Sequence, residues 1–193
     1  MNPRETCYQC LRPRIECYCG KVEAFSTDPQ FVFLTHPKEY RKGINTGKMA
    51  RRFLSNSHLF VGVDFTNHQI LNSLLSERDA YILFPGENSI PLEGKSSMDF
   101  KNSILIILDG TWSTAKSIFK ASENLHKLPY LSFRDSKSSN YKIRKQPGDG
   151  CLSTVETVAH VLEILESGEP KNRQSLLEVF HEMVERQIKY EEG

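Results

Sequence analysis

The apolar positions of this chain fall in short unbroken runs. Residues 31–35 (FVFLT), 58–63 (HLFVGV), 80–84 (AYILF) and 104–108 (ILIIL) are each bounded by polar, Gly or Pro residues, and 130–133 (YLSF) is a weaker fifth run. Continuous rather than alternating runs predict strands buried on both faces, as in a parallel sheet. Helical spacing covers 47–55, 67–76 and 112–126. STVE at 153–156 is a capping box, in which Ser153 bonds the backbone N–H of Glu156 and Glu156 reaches back. Val155, Val158, Ala159, Leu162 and Leu165 then share one helix face; Leu176, Leu177, Phe180, Met183, Val184 and Ile188 share another, on a last helix expected to end near Tyr190. Strands alternating with helices predict an α/β domain with a mostly parallel sheet flanked by helices. Two long connections, 85–102 and 134–150, have no periodicity of their own, and connections of that kind often carry function.

The longest apolar runs have five residues, which is too short for a membrane span or a signal segment, so a soluble cytoplasmic protein is expected. The net charge of +1 over 193 residues excludes partner choice by bulk charge. Local charge is more informative. Residues 36–52 hold six Lys/Arg (Lys38, Arg41, Lys42, Lys48, Arg51, Arg52) against Glu39 alone, whereas 155–193 hold nine Glu against four Lys/Arg. A basic stripe in a near-neutral chain fits a partner that is anionic at one place, such as RNA, or else a solvated helix face.

Four of the five cysteines lie within thirteen residues as C-x2-C-x6-C-x-C: Cys7, Cys10, Cys17 and Cys19. Four thiolates at this spacing can surround one tetrahedral Zn2+, and the metal would supply the folding energy that so short a segment cannot bury. The other reading is a set of redox or incidental thiols. The expected division is a zinc-binding unit at 1–24 and the α/β domain at 25–193. Cys151 stands apart and reads as a small buried residue.

ILIILDGTW at 104–112 ends an apolar strand in a carboxylate, a glycine, a hydroxyl and the only tryptophan of the chain. Ligands of parallel α/β sheets bind beyond the carboxyl ends of strands. The residues alone fit equally a ligand site and a plain strand-to-helix turn with Trp112 as a core anchor.

Taken together, the motifs resemble the DTW-domain family: the cysteine cluster with CLRP at 10–13, LTHPKE at 34–39, NTGK at 45–48, DGTW at 109–112, YKIRKQP at 141–147 and LSTVE at 152–156, in the family's order. Gln9 departs from the pattern, standing where the family more often carries a basic residue. The resemblance implies a SPOUT-like fold with a C-terminal trefoil knot and an S-adenosyl-L-methionine (SAM) site. It also implies transfer of the 3-amino-3-carboxypropyl group of SAM to uridine N3 of tRNA, giving acp3U and methylthioadenosine.

On that resemblance the SAM pocket is expected from Phe84, Pro85 and Gly86, from Leu108, Asp109, Gly110, Thr111 and Trp112, and from Leu152, Ser153 and Thr154. The N-terminus of the helix after Ser153 suits an anion, such as the methionine carboxylate of SAM. Asp109 is the candidate general base for the N3 proton, or alternatively a binder of SAM. Arg12, Arg14, His36, Lys38, Lys42, Arg51, Arg52, Tyr141, Lys142, Arg144, Lys145 and Gln146 are the expected RNA contacts, since cations with an interleaved aromatic suit phosphate and an unstacked base. The expected partner is tRNA, with no membrane and with a monomer favoured over a dimer. Two rival functions remain: a SPOUT-type RNA methyltransferase, and a zinc-ribbon RNA-binding protein without catalysis.

Overall fold

The computed structural model describes residues 5–86, 88–134 and 152–192. The expectations for Tyr141, Lys142, Arg144, Lys145, Gln146 and Cys151 lie outside the described residues.

Every predicted strand forms: β1 (Gln30–Thr35), β2 (His58–Val61), β3 (Ala80–Leu83), β5 (Ile104–Asp109) and β6 (Tyr130–Ser132). A two-residue strand, β4 (Ile90–Pro91), lies inside the 85–102 connection and was not expected; two residues carry no readable period. The helices are α1 (Pro37–Tyr40), α2 (Thr46–Phe53), α3 (Gln69–Glu77), α4 (Trp112–Ala121), α5 (Thr154–Ile164) and α6 (Pro170–Glu192). The helix expected over 112–126 stops at Ala121, where Ser122 leaves the helical conformation and a 3-10 turn follows at Glu123–Leu125.

The strands form one parallel sheet in the order β2-β1-β5-β3-β6-β4. The central strands are the apolar ones. All of β1 and nearly all of β5 are buried, whereas the edge strand β2 is partly exposed. The two faces of the sheet divide the core. Phe31, Phe33, Leu105 and Ile107 pack with α2, α5 and α6. Val32, Leu34, Ile104 and Ile106 pack with Phe65 and with Leu71 of α3 and Ile118 of α4.

This topology creates a crevice. From β1 the chain passes through α2 on one face to β2 at the sheet edge. From β5, the neighbour of β1, it passes through α4 on the other face to β6 on the opposite side. Connections that diverge from adjacent strands leave an opening beyond their carboxyl ends, where open α/β sheets bind ligands. Thr35 and Asp109, the last residues of β1 and β5, are register partners at the floor of that opening.

The N-terminal cysteine segment folds onto this domain. Cys10 and Tyr18 are buried in the same core as Phe31, Phe53 and Phe180, with Cys7, Cys17 and Cys19 packed against it. Lys21 pairs with Glu182 of α6, and Arg52 of α2 donates to Gln9 Oε1 at 2.8 Å. Gln9, the departure from the family pattern, thus fastens the knuckle to α2.

Candidate functional site

Asp109 is buried, with 3% of its surface exposed, and both carboxylate oxygens are engaged. Asn45 Nδ2 donates to Oδ2 at 2.8 Å and Thr154 Oγ1 donates to Oδ1 at 2.6 Å. The two donors come from the starts of α2 and α5. Asn45 is the N-cap of α2, its Oδ1 accepting the Lys48 backbone N–H at 2.7 Å. Thr154 opens α5, and its backbone N–H reaches Thr46 Oγ1 at 3.3 Å. Two helix N-termini therefore converge on one carboxylate and complement its charge.

Close approach makes this seat possible. A Cβ on Gly47 would lie 2.5 Å from Asp109 Oδ2 and 2.6 Å from its Cγ, so the glycine leaves the space the carboxylate fills. Gly110 meets a similar demand, since a Cβ there would lie 2.3 Å from Thr114 Oγ1. Thr111 caps α4, accepting the Thr114 N–H at 3.2 Å. The Thr35 hydroxyl beside Asp109 is buried and has no hydrogen-bond partner among the described residues.

The three loops expected to form the pocket meet here. Thr154 brings 152–154 to Asp109. Phe84 brings 84–86 to DGTW through an edge-on contact with Trp112 at 5.9 Å between ring centroids. Trp112 is 38% exposed, with Lys116 over its ring, so it is not the core anchor of the plainer reading. The capping box forms as expected, with Ser153 N–H donating to Glu156 Oε2 at 2.8 Å and Glu156 N–H to Ser153 Oγ at 3.3 Å. Glu156 is thereby committed to the helix start. Asn45, Thr46 and Gly47 hold the site, yet nothing in the sequence beyond the NTGK motif pointed to them.

The four thiols at the N-terminus fit a tetrahedral metal. All four sulfurs lie within 4.8 Å of one another, with Cys7–Cys19 at 4.0 Å and Cys10–Cys17 at 3.8 Å. Zn–S bonds of about 2.3 Å in a tetrahedron place sulfurs about 3.8 Å apart. The Cys10 backbone N–H lowers the Cys7 thiol to about 6, while burial raises Cys10 and Cys19. Metal binding at this site would displace protons.

Arg12 is corrected by the structure. Expected to face RNA phosphate, it is 4% exposed, and its Nη2 lies 3.5 Å from Glu16. Its Nε and Nη1 are buried without hydrogen-bond partners among the described residues, as is Arg52 Nε. Burial also raises the pKa of Tyr18, with the charges of Cys10 and Cys19 acting in the same direction and those of Arg12 and Arg52 opposing it. Both arginines therefore lie in the surroundings of the thiols, where cations would offset the charge of a four-thiolate metal centre.

The other expected RNA contacts are mixed. Lys38 and Arg14 are exposed, Arg14 beside Glu5 at 3.4 Å. Lys42 is exposed but paired with Glu39 at 2.8 Å. Arg51 and Arg52 are half-buried, Arg51 donating to the Leu54 carbonyl at 3.3 Å. His36 caps α1, its Nδ1 accepting the Lys38 backbone N–H at 3.1 Å, and its backbone N–H donates to the Asp109 backbone carbonyl at 3.2 Å. No helix among the described residues is long and apolar enough to cross a membrane.

Comparison with known proteins gives one family. The family model described as the DTW domain matches residues 4–188. The chain is 35% identical to tRNA-uridine aminocarboxypropyltransferase 2 of Drosophila melanogaster over 198 residues, covering 97% of this chain and 76% of that protein. It is 32% identical to the protein of the same name from Macaca fascicularis, over 84% of this chain and 57% of the relative. It is 27% identical to tRNA-uridine aminocarboxypropyltransferase A of Arabidopsis thaliana, over 97% of this chain and 82% of the relative. No solved structure matches. With its DGTW group at the carboxyl end of β5 and a family match over nearly its whole length, the chain belongs to the DTW-domain family.

Proposed function

We propose that the protein transfers the 3-amino-3-carboxypropyl group of SAM to N3 of a uridine in tRNA, forming acp3U and releasing methylthioadenosine. The observation that carries this reading is the seating of DGTW: a buried, doubly bonded carboxylate and an exposed tryptophan at the crevice between β1 and β5, in a chain whose relatives bear that activity in their names.

The reaction is a displacement at carbon. Uridine N3 loses its proton, its electron pair attacks the propyl carbon attached to sulfur, and that C–S bond breaks. The electron pair returns to sulfur, which leaves as a neutral thioether. The sulfonium is already a good leaving group, so the protein's task is to line up N3, carbon and sulfur. Uridine must be unstacked to expose N3. The half-exposed ring of Trp112 beside Phe84 offers a surface for an aromatic base.

Asp109 is the group proposed to take the N3 proton. Among the described residues each carboxylate oxygen accepts one side-chain hydrogen bond, and a carboxylate oxygen can accept a second. Its burial favours a second reading, in which it holds the α-ammonium of SAM and water removes the proton. The SAM pocket is assigned to 84–86, 108–112 and 152–154, within a SPOUT-like, knotted SAM site. Cys7, Cys10, Cys17 and Cys19 would hold a structural zinc. Lys38, Lys42, Arg14 and the side chains of 141–146 are assigned to tRNA. A cytoplasmic monomer is the proposed working form.

The test is incubation with SAM and unmodified tRNA, followed by mass spectrometry of nucleosides and of the SAM by-product. The aminocarboxypropyl mass with methylthioadenosine is expected. A methyl mass with S-adenosylhomocysteine would transfer the protein to the methyltransferase reading.

A further inference from the structure

We propose that Lys48 binds the α-carboxylate of SAM and so fixes the chain that is transferred. The proposal rests on the aminocarboxypropyl reading above. The amino-acid end of SAM carries an anion as well as a cation, and a carboxylate taken out of bulk water needs a cationic or multiple N–H partner.

At the site expected for that carboxylate, the start of α5, several donors already serve the protein. The Thr154 hydroxyl donates to Asp109, the Ser153 N–H to Glu156 and the Thr154 N–H to Thr46. A second anion placed there would face two protein carboxylates.

Lys48 lies one residue beyond Gly47, which touches the Asp109 carboxylate, and its own backbone N–H is held by Asn45. The side chain is half-buried, unlike the exposed Lys38, Arg41 and Lys42. Its ammonium sits 4.0 Å from the centre of the Tyr40 ring and donates to the Tyr40 carbonyl. It forms no ion pair among the described residues. An ammonium has three donors, so two remain after the Tyr40 bond. Burial lowers its pKa, and the negative charges of Asp109 and Cys10 act in the opposite sense.

With its carboxylate on Lys48, and on the second reading of Asp109 its ammonium there as well, a bound SAM has its propyl chain held at its polar end. The methyl group has no comparable handle. That asymmetry selects the propyl carbon for attack.

The experiment compares SAM with decarboxylated SAM, which lacks only this carboxylate, as ligands for the wild type, Lys48→Met and Lys48→Gln, by calorimetry, with acp3U formation measured in parallel. A charge-assisted hydrogen bond predicts that the wild type prefers SAM by roughly 10- to 100-fold. Both variants should bind decarboxylated SAM like the wild type and lose most of that preference. Retained preference in the variants would overturn the proposal, as would loss of tRNA binding with SAM binding unchanged. If both variants also lose decarboxylated SAM, Lys48 acts in folding and the assignment fails. A wild type that makes acp3U yet binds both ligands equally refutes the Lys48 assignment alone. A wild type that binds neither refutes the functional reading beneath it.

Discussion

Replacing Gly47 with alanine tests the central geometry with one carbon atom. The added Cβ would stand 2.5 Å from Asp109 Oδ2, 2.6 Å from Cγ and 2.9 Å from Oδ1. Carbon atoms pack best about 3.5–4.0 Å apart, so the carboxylate or the start of α2 must move by about 1 Å. The carboxylate is not free to move, because Asn45 and Thr154 hold it at 2.8 and 2.6 Å. Losing a hydrogen bond to a buried charge costs about 1.5–3 kcal/mol, and overpacking costs about 1–3 kcal/mol. Better helix propensity returns at most about 1 kcal/mol. The expected net loss is about 2–4 kcal/mol, read as a lower urea midpoint with an unchanged slope. A misplacement of this size at a reacting group can lower turnover about 100-fold, read as acp3U formed per minute. Gly43→Ala is the control, since a Cβ there meets nothing within 4 Å. Gly47→Ala matching Gly43→Ala in both stability and rate would show that the carboxylate is not held as described.

Asp109→Asn separates the two roles of that residue: lost proton transfer lowers kcat and flattens its pH profile at unchanged KM for SAM, whereas lost ammonium binding raises KM. One zinc per chain is expected by elemental analysis, and Cys10→Ser should remove it and lower the melting temperature of the whole domain, because Cys10 is part of the main core; a metal-free variant melting like the wild type would refute this. Arg12→Gln should speed zinc release to a chelator and leave the salt dependence of tRNA binding unchanged, whereas a shallower salt slope would restore Arg12 to the RNA surface. Burial, with Arg51 and Arg78 nearby, lowers the pKa of His58. The unfolded chain then binds the proton more readily, so this contribution destabilises the fold as pH falls through the ordinary histidine value of about 6.5. His58→Gln should reduce the fall in urea midpoint between pH 7.5 and 5.5, and an identical pH dependence in the variant would refute the assignment.

The centre of the sheet was legible because its strands are buried on both faces, which writes them as unbroken apolar runs: FVFLT and ILIIL became β1 and β5, adjacent and in register. The α5 start was legible because a capping box is local, requiring only Ser153 and Glu156 three positions apart. The cysteine spacing was legible for the same reason, with all four ligands inside one short segment. Arg12 was misread because charge in a sequence says nothing about burial. Its place between Cys10 and Cys17 puts it inside the knuckle, whose Cys10 and Tyr18 join a core that also takes in Phe31, Phe53 and Phe180.

The sequence by itself determined the α/β alternation, the helix start at Ser153, the thiol cluster and the family, since each depends on neighbours in the chain or on motifs read in order. Only the tertiary structure decided what Asp109 touches. Asn45 is 64 residues away from it and Thr154 is 45 residues away, and their donors reach the carboxylate only because α2 and α5 pack on the same face of the sheet. The glycine of NTGK acquires its meaning there too: a missing side chain leaves no trace in a hydrophobic pattern, and its role appears only when a carboxylate from another strand fills the space.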